Sequence, residues 1–245
     1  MRVVAVGDSI AYGVGDHPST AGAIAWSGRL ARMAGFDDHR IFGYPGAVLR
    51  DMRAHQLPAA RMAKPDLILM SIGGNDAVRS GFDAGALRYG LAECLDQTTG
   101  EGILVALATL PDFSAGCRLP RRMRASLLRR IERVNSVLVE VADRPGVTLV
   151  DRWSDPVAHQ PEYLHADRVH PSPLGYQRLA ELTLNCLGIA SNGAQVNTAM
   201  VERGQRLWLL TRGVPWAIRR SSSLLPGIMA MARDEFRRPE RANLN

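Results

Sequence analysis

Lysine is almost absent from this chain of 245 residues: Lys64 stands alone, and a formal net charge of +6 is carried by arginine. Such an excess speaks for coding bias as much as for selection of a polyanionic partner. Cysteine is scarce as well. Cys94, Cys117 and Cys186 are scattered, odd in number and free of any Cys-x-x-Cys pair, which argues against a disulfide framework or a zinc knuckle and fits a reducing compartment. No apolar run is long enough to span a bilayer. Met1 to Val6 leads straight into Gly7-Asp8-Ser9, leaving no room for a charged leader, an apolar segment and a cleavage site, so a cytoplasmic protein is expected. There is no internal repeat and no low-complexity run. What remains, 46% hydrophobic residues with mixed charge, is enough for one sizeable core in a globular, enzyme-sized domain.

Short, nearly continuous apolar runs recur at 3–6, 40–42, 66–72, 103–108 and 147–150, each bounded by Gly, Pro or Asp. Runs of this kind suit strands buried on both faces of a parallel sheet. Helical periodicity fills the intervals, over 22–34, 47–62, 84–98, 121–142 and 174–188. The alternation predicts a three-layer α/β/α sandwich with right-handed crossovers. Ser172 and Pro173 form a start signal for the last of these helices, which leaves His170 on the loop before it.

The pattern breaks at Ser191-Asn192-Gly193-Ala194, dividing the chain into residues 1–190 and an extension, 191–245. The extension holds nine arginines against four acids and so carries most of the excess charge. Two amphipathic helical segments are expected in it, at 197–211 and 215–236. Three roles stay open for them: a satellite helical layer, a dimer contact or pocket cover, and a peripheral contact with anionic lipid through Trp, Leu and Arg on one helix. Oligomeric state is not readable.

Four short segments carry chemistry: Gly7-Asp8-Ser9-Ile10, Gly43-Tyr44-Pro45-Gly46, Gly74-Asn75-Asp76 and Asp167-Arg168-Val169-His170. A serine hydroxyl needs a base to take its proton during attack, and imidazole has a suitable pKa. Ser9 is the candidate nucleophile and His170 the best placed histidine. Asp167, three residues earlier, is close enough to accept the imidazole N–H and fix its tautomer. A tetrahedral intermediate also requires preorganised donors for its oxyanion: the Ser9 amide, the backbone at Gly46 and the Asn75 side chain. Ser9, Gly46 and Asn75 each follow one of the first three strands, at the carboxyl edge where ligands bind in open parallel sheets. Asp8 is read as supporting the loop, and Asp76 as an Asx-turn residue.

Other motifs fail. Gly13-Val14-Gly15 lacks the third glycine of a dinucleotide fingerprint. His165 and His170 are five apart with no further ligand at zinc spacing. The Arg121, Arg122, Arg124, Arg129 and Arg130 cluster has no interleaved aromatics and reads as a solvated helix face, so no nucleic-acid partner is expected.

The four segments resemble the conserved blocks of the SGNH, or GDSL-like, hydrolases, a likeness that covers roughly residues 1–190. It implies a flavodoxin-like sheet of five parallel strands and hydrolysis of small-molecule acyl esters through an acyl-serine intermediate, with no metal or other cofactor. By that likeness Ser9, Asp167 and His170 form the triad, and Ser9, Gly46 and Asn75 the oxyanion hole. Ile10 stands where leucine is usual, and Tyr44-Pro45 where a small polar residue is common. Two rivals to an esterase or lipase remain: an acyltransferase with a sugar or alcohol acceptor, and a non-catalytic binding module.

Overall fold

A computed structural model describes residues 1–16, 25–117, 119–193, 226–227 and 229–230. Five parallel strands, β1 Arg2–Gly7, β2 Asp38–Ile41, β3 Leu67–Ser71, β4 Leu104–Ala108 and β5 Val147–Val150, form one sheet in the order β2-β1-β3-β4-β5. Helices cover both faces, as the apolar runs require. Because strand side chains alternate, Val4, Val6, Ile68, Met70, Val105 and Leu107 point to one face and Val3, Ala5, Leu67, Leu69, Ala106 and Ala108 to the other.

On the first face lie α3 Leu49–Asp51, which continues through a π turn, Met52–Gln56, into α4 Leu57–Met62, together with α6 Ala84–Thr99 and α7 Arg121–Ala142. On the second lie α2 Ala25–Ala34 and α8 Pro173–Leu187, where buried Trp26 donates its indole N–H to Thr183 Oγ1 at 3.0 Å. Two short helices, α1 Ser9–Tyr12 and α5 Gly74–Val78, follow β1 and β3 directly. They carry too few residues to show a helical period in the sequence.

The second strand departs from expectation. It spans Asp38–Ile41 rather than 40–42, because it lies at an edge of the sheet with His39 and Arg40 exposed, so hydrophobicity marks only its end. The helix expected from residue 22 is described from Ala25, and the one expected over 47–62 contains the π turn. The segment expected at 197–211 lies outside the described residues. Of that at 215–236, Pro226, Gly227, Met229 and Ala230 are described and helical, and Gly227 sits against the backbone of Val78 and Arg79.

The order β2-β1-β3 places the topological switch point between β1 and β3, so a crevice opens beyond their carboxyl ends. Beside it, Asp16 and Arg29 form a bidentate pair, Nε to Oδ2 at 2.8 Å and Nη2 to Oδ1 at 2.5 Å, with both side chains 2% exposed. Removing one partner strands a buried charge, which typically costs 3–5 kcal/mol, whereas an apolar replacement of both does not. Asp16→Ala is therefore expected to lower Tm by roughly 10 °C, and Asp16→Leu with Arg29→Met to recover most of the loss. A single-variant Tm within about 2 °C of wild type, read by calorimetry, would contradict this.

Candidate active site

β1 ends at Gly7, whose φ is +125° and where a Cβ would stand 1.8 Å from the Ser71 carbonyl oxygen. Only glycine fits there, and the strand turns into α1 with Ser9 as its first residue. Asp8 caps that helix, its carboxylate accepting the Ile10 N–H at 3.0 Å. The chain leaving α1 is held by Tyr176 of α8, buried and donating its hydroxyl to Val14 O at 3.0 Å.

The loop before α8 carries His170. His170 is 6% exposed; its Nε2 lies 2.9 Å from Ser9 Oγ and its Nδ1 2.7 Å from Asp167 Oδ2. With Nδ1–H donated to the carboxylate, Nε2 of the neutral ring is left to accept the serine proton. Asp167 Oδ1 accepts the Val169 and His170 N–H groups at 2.9 and 3.0 Å, and His165 Nδ1 stands 3.2 Å from Oδ2. Burial alone would raise the Asp167 pKa. The N–H groups of His165 and His170, and then the charge of His170, hold it instead well below the usual carboxylate range.

The other two segments meet each other and the nucleophile loop. Asn75 Nδ2 donates to Ala47 O at 3.0 Å, which fixes its side chain and leaves a second N–H. Gly46 takes φ +80°, and the Tyr44 N–H donates to Gly7 O at 3.2 Å. Asp76 reaches across to the Leu49 N–H at 3.1 Å, tying the Asn75 segment to the start of α3; burial raises its pKa. Its partner is thus 27 residues away, where the sequence suggested an Asx turn.

The structure brings Ser9, His170 and Asp167 into one hydrogen-bonded line across 161 residues, and joins Asn75 to the residue after Gly46. A hydroxyl hydrogen-bonded to an imidazole in this way can attack a carbonyl carbon, and side-chain and backbone amides are the groups able to hold the resulting oxyanion. Sequence reasoning missed His165, Tyr176 and Gln56. His165 carried one weak signal, its place two residues before Asp167, while the partners of Gln56 and Tyr176 come from distant strands and loops. Among the described residues no three His, Cys, Asp or Glu are grouped to hold a metal ion.

The GDSL-like lipase/acylhydrolase family model matches residues 5–178. Comparison with curated proteins finds no match. Among solved structures, a lipase/acylhydrolase from Enterococcus faecalis is similar at 22% identity and TM-score 0.61, over 80% of this chain and 99% of its own. A variant of an acetyl xylan esterase from Geobacillus stearothermophilus is similar at 21% identity and TM-score 0.61, over 77% and 95%. An α/β hydrolase from the metagenome of Lake Arreo, Spain, shares 25% identity over 77% and 95%, with TM-score 0.59.

Asp8 gives the site a pH signature. Burial, reinforced by Asp76, outweighs the Ile10 N–H, His170 and Arg152 and raises its pKa from 3.8 to about 6. Between those values the native state binds more protons than the unfolded chain, so this contribution is complete below about pH 4 and lost as pH rises through about 6. Two pK units correspond to roughly 3 kcal/mol. Asp8→Asn, which keeps a capping oxygen, is expected to exceed wild type in stability to urea at about pH 7.5 and to match it near pH 4. The same difference at both pH values would refute the assignment.

Proposed function

The chain belongs to the GDSL-like lipase/acylhydrolase family and is a carboxylic ester hydrolase; from that premise we propose that it cleaves acyl esters through an acyl-Ser9 intermediate. Ser9 Oγ attacks the ester carbonyl as His170 Nε2 takes its proton, and anionic Asp167 stabilises the imidazolium. The oxyanion receives N–H bonds from Ser9, Gly46 and the free N–H of Asn75. As the intermediate collapses, the C–O bond to the leaving alcohol breaks and His170 returns the proton to that oxygen. Water, deprotonated by the same imidazole, then attacks the acyl carbon, and the acid leaves as Ser9 regains its hydrogen.

The observation that carries this reading is the unbroken line from Ser9 Oγ through the His170 ring to Asp167, at 2.9 and 2.7 Å. Its test is Ser9→Ala, assayed on 4-nitrophenyl acetate and butyrate with folding checked by circular dichroism. We expect kcat to fall by about 10³-fold or more with no change in stability. A variant keeping most of its activity would overturn the proposal. An acyl sugar formed when glucose is added to the wild-type reaction would instead place the enzyme among acyltransferases.

The room for substrate lies next to the oxyanion donors. A groove of about 560 Å³ is lined by Val48, Leu49 and Asp76, then by Arg79, Ser80 and Phe82. It begins with the residues that follow Ala47 and Asn75, and its size is that of a small-molecule site. We propose that it takes the acyl chain beyond the first few carbons. Ser80→Trp, at its exposed rim, is expected to lower kcat/KM for a decanoyl ester by about tenfold while leaving the acetyl ester within about twofold. Equal effects on both esters would place the chain elsewhere.

A further inference from the structure

We propose that His165 is a positioning residue for the triad: a second imidazole that holds the Asp167 carboxylate in the plane His170 needs. The inference rests on the reading of Ser9, His170 and Asp167 given above. His165 is 2% exposed, and its Nδ1 stands 3.2 Å from Asp167 Oδ2, the same oxygen that receives His170 Nδ1 at 2.7 Å. Oδ1 accepts the two backbone N–H groups. The carboxylate thus takes hydrogen bonds from His170 Nδ1 and the two amides, and His165 Nδ1 faces Oδ2 at ion-pair distance as a fourth contact.

The loop is built to deliver both rings to that oxygen. The His165 N–H donates to His170 O at 2.8 Å, the Arg168 N–H to His165 O at 2.8 Å, and Leu164 pairs with Pro171 in an antiparallel bridge. The turn between the two histidines closes because Arg168 adopts φ +58°, a conformation unfavourable for a non-glycine residue that persists only under external support. Support comes from Gly116, where a Cβ would lie 1.9 Å from the Arg168 carbonyl oxygen. On its other side the His165 ring carries the chain that leaves the nucleophile helix: a Cβ on Gly15 would stand 3.2 Å from His165 Cβ and 3.3 Å from its Cγ. One side chain therefore lies against the acid of the triad and close to the loop that follows Ser9.

Two consequences separate this role from simple packing. An N–H on Oδ2 restrains rotation of the carboxylate about its own bond, so its loss misaligns His170 and lowers kcat, while substrate binding is untouched. The donor is Nδ1–H in particular, so an amide nitrogen at that position serves and one placed further out does not. Asparagine puts its amide nitrogen where Nδ1 stands, glutamine reaches toward the Nε2 position, and leucine fills the space with no donor.

The test compares His165→Leu, His165→Asn and His165→Gln in the full chain, with kcat and KM on 4-nitrophenyl acetate. Leucine and glutamine are expected to reduce kcat by about tenfold to a hundredfold with KM within about twofold, and asparagine to restore most of it. Combined with Asp167→Asn, the Leu substitution is expected to cost much less than in the wild-type background, because both act on one interaction. Equal kcat in the three variants, or losses that multiply with Asp167→Asn, would overturn the inference. Should the Leu variant not fold, the Asn and Gln variants alone decide it: equal kcat overturns the role of Nδ1–H. Activity retained by Ser9→Ala would defeat the underlying mechanism, whereas an inactive Ser9→Ala beside a fully active His165→Leu defeats only this proposal.

Discussion

β1 and β3 run side by side to their last residues, Gly7 and Ser71, and there the two backbones approach so closely that no Cβ fits between them. Gln56, from the π turn within the α3–α4 helix, secures this point from the side, accepting the Gly7 N–H at 2.6 Å and donating to Gly7 O at 3.0 Å. The Asp8 N–H donates to Ser71 O and the Tyr44 N–H to Gly7 O, so three of the four motif segments leave from one hydrogen-bonded knot. The position of Ser9 relative to Asn75 is thus set by sheet geometry rather than by loop conformation. A site on such a support loses less of its precision to loop motion.

The same closeness sorts the carboxylates. Asp8 lies between the strand ends with one backbone N–H at 3.0 Å and the Ser71 hydroxyl at 3.4 Å, too little to offset its burial, and its pKa rises. Asp167 is also largely enclosed, yet the N–H groups arranged around it drive its pKa the other way. Acids whose environments push them apart take different roles. Asp167, with its pKa held below the usual carboxylate range, suits an imidazolium partner. Asp8, held near neutrality in its titration, suits a cap.

Much of this was legible in the residues. Continuous apolar runs marked a doubly covered parallel sheet, and the four segments marked Ser9, Gly46, Asn75, Asp167 and His170 as candidates, of which Ser9, His170 and Asp167 lie in one hydrogen-bonded line. The rest required distance in space. Gln56 meets Gly7 across 49 residues and Asp76 meets Leu49 across 27, and nothing in either local sequence names the partner. Only the end of β2 was read, because its Asp38-His39-Arg40 start faces water and lacks the apolar signal. His165 was visible only as a failed zinc spacing; its significance depends on the left-handed turn at Arg168, a conformation that no residue preference announces.

His170 must be brought to Ser9 across most of the chain, and α8 is the means. The helix is capped by Ser172, whose hydroxyl accepts the Gly175 N–H, so the loop carrying His170 ends at a fixed helix entrance. One turn further on, the same helix presents Tyr176 to the carbonyl of Val14, beyond the nucleophile. Farther along, Thr183 receives the indole of Trp26 from α2, and Leu179 and Leu184 bury against the sheet. Sliding α8 by even an ångström would move the His170 ring and the Tyr176 clamp together, and would have to break a buried helix–helix contact to do so. The 2.9 Å between Ser9 and His170 is therefore maintained by packing on the face of the sheet opposite α3, α4, α6 and α7. That separates the demands on the two faces: one aligns His170 with Ser9, while the other carries the groove beside Asn75 and can vary without disturbing that alignment.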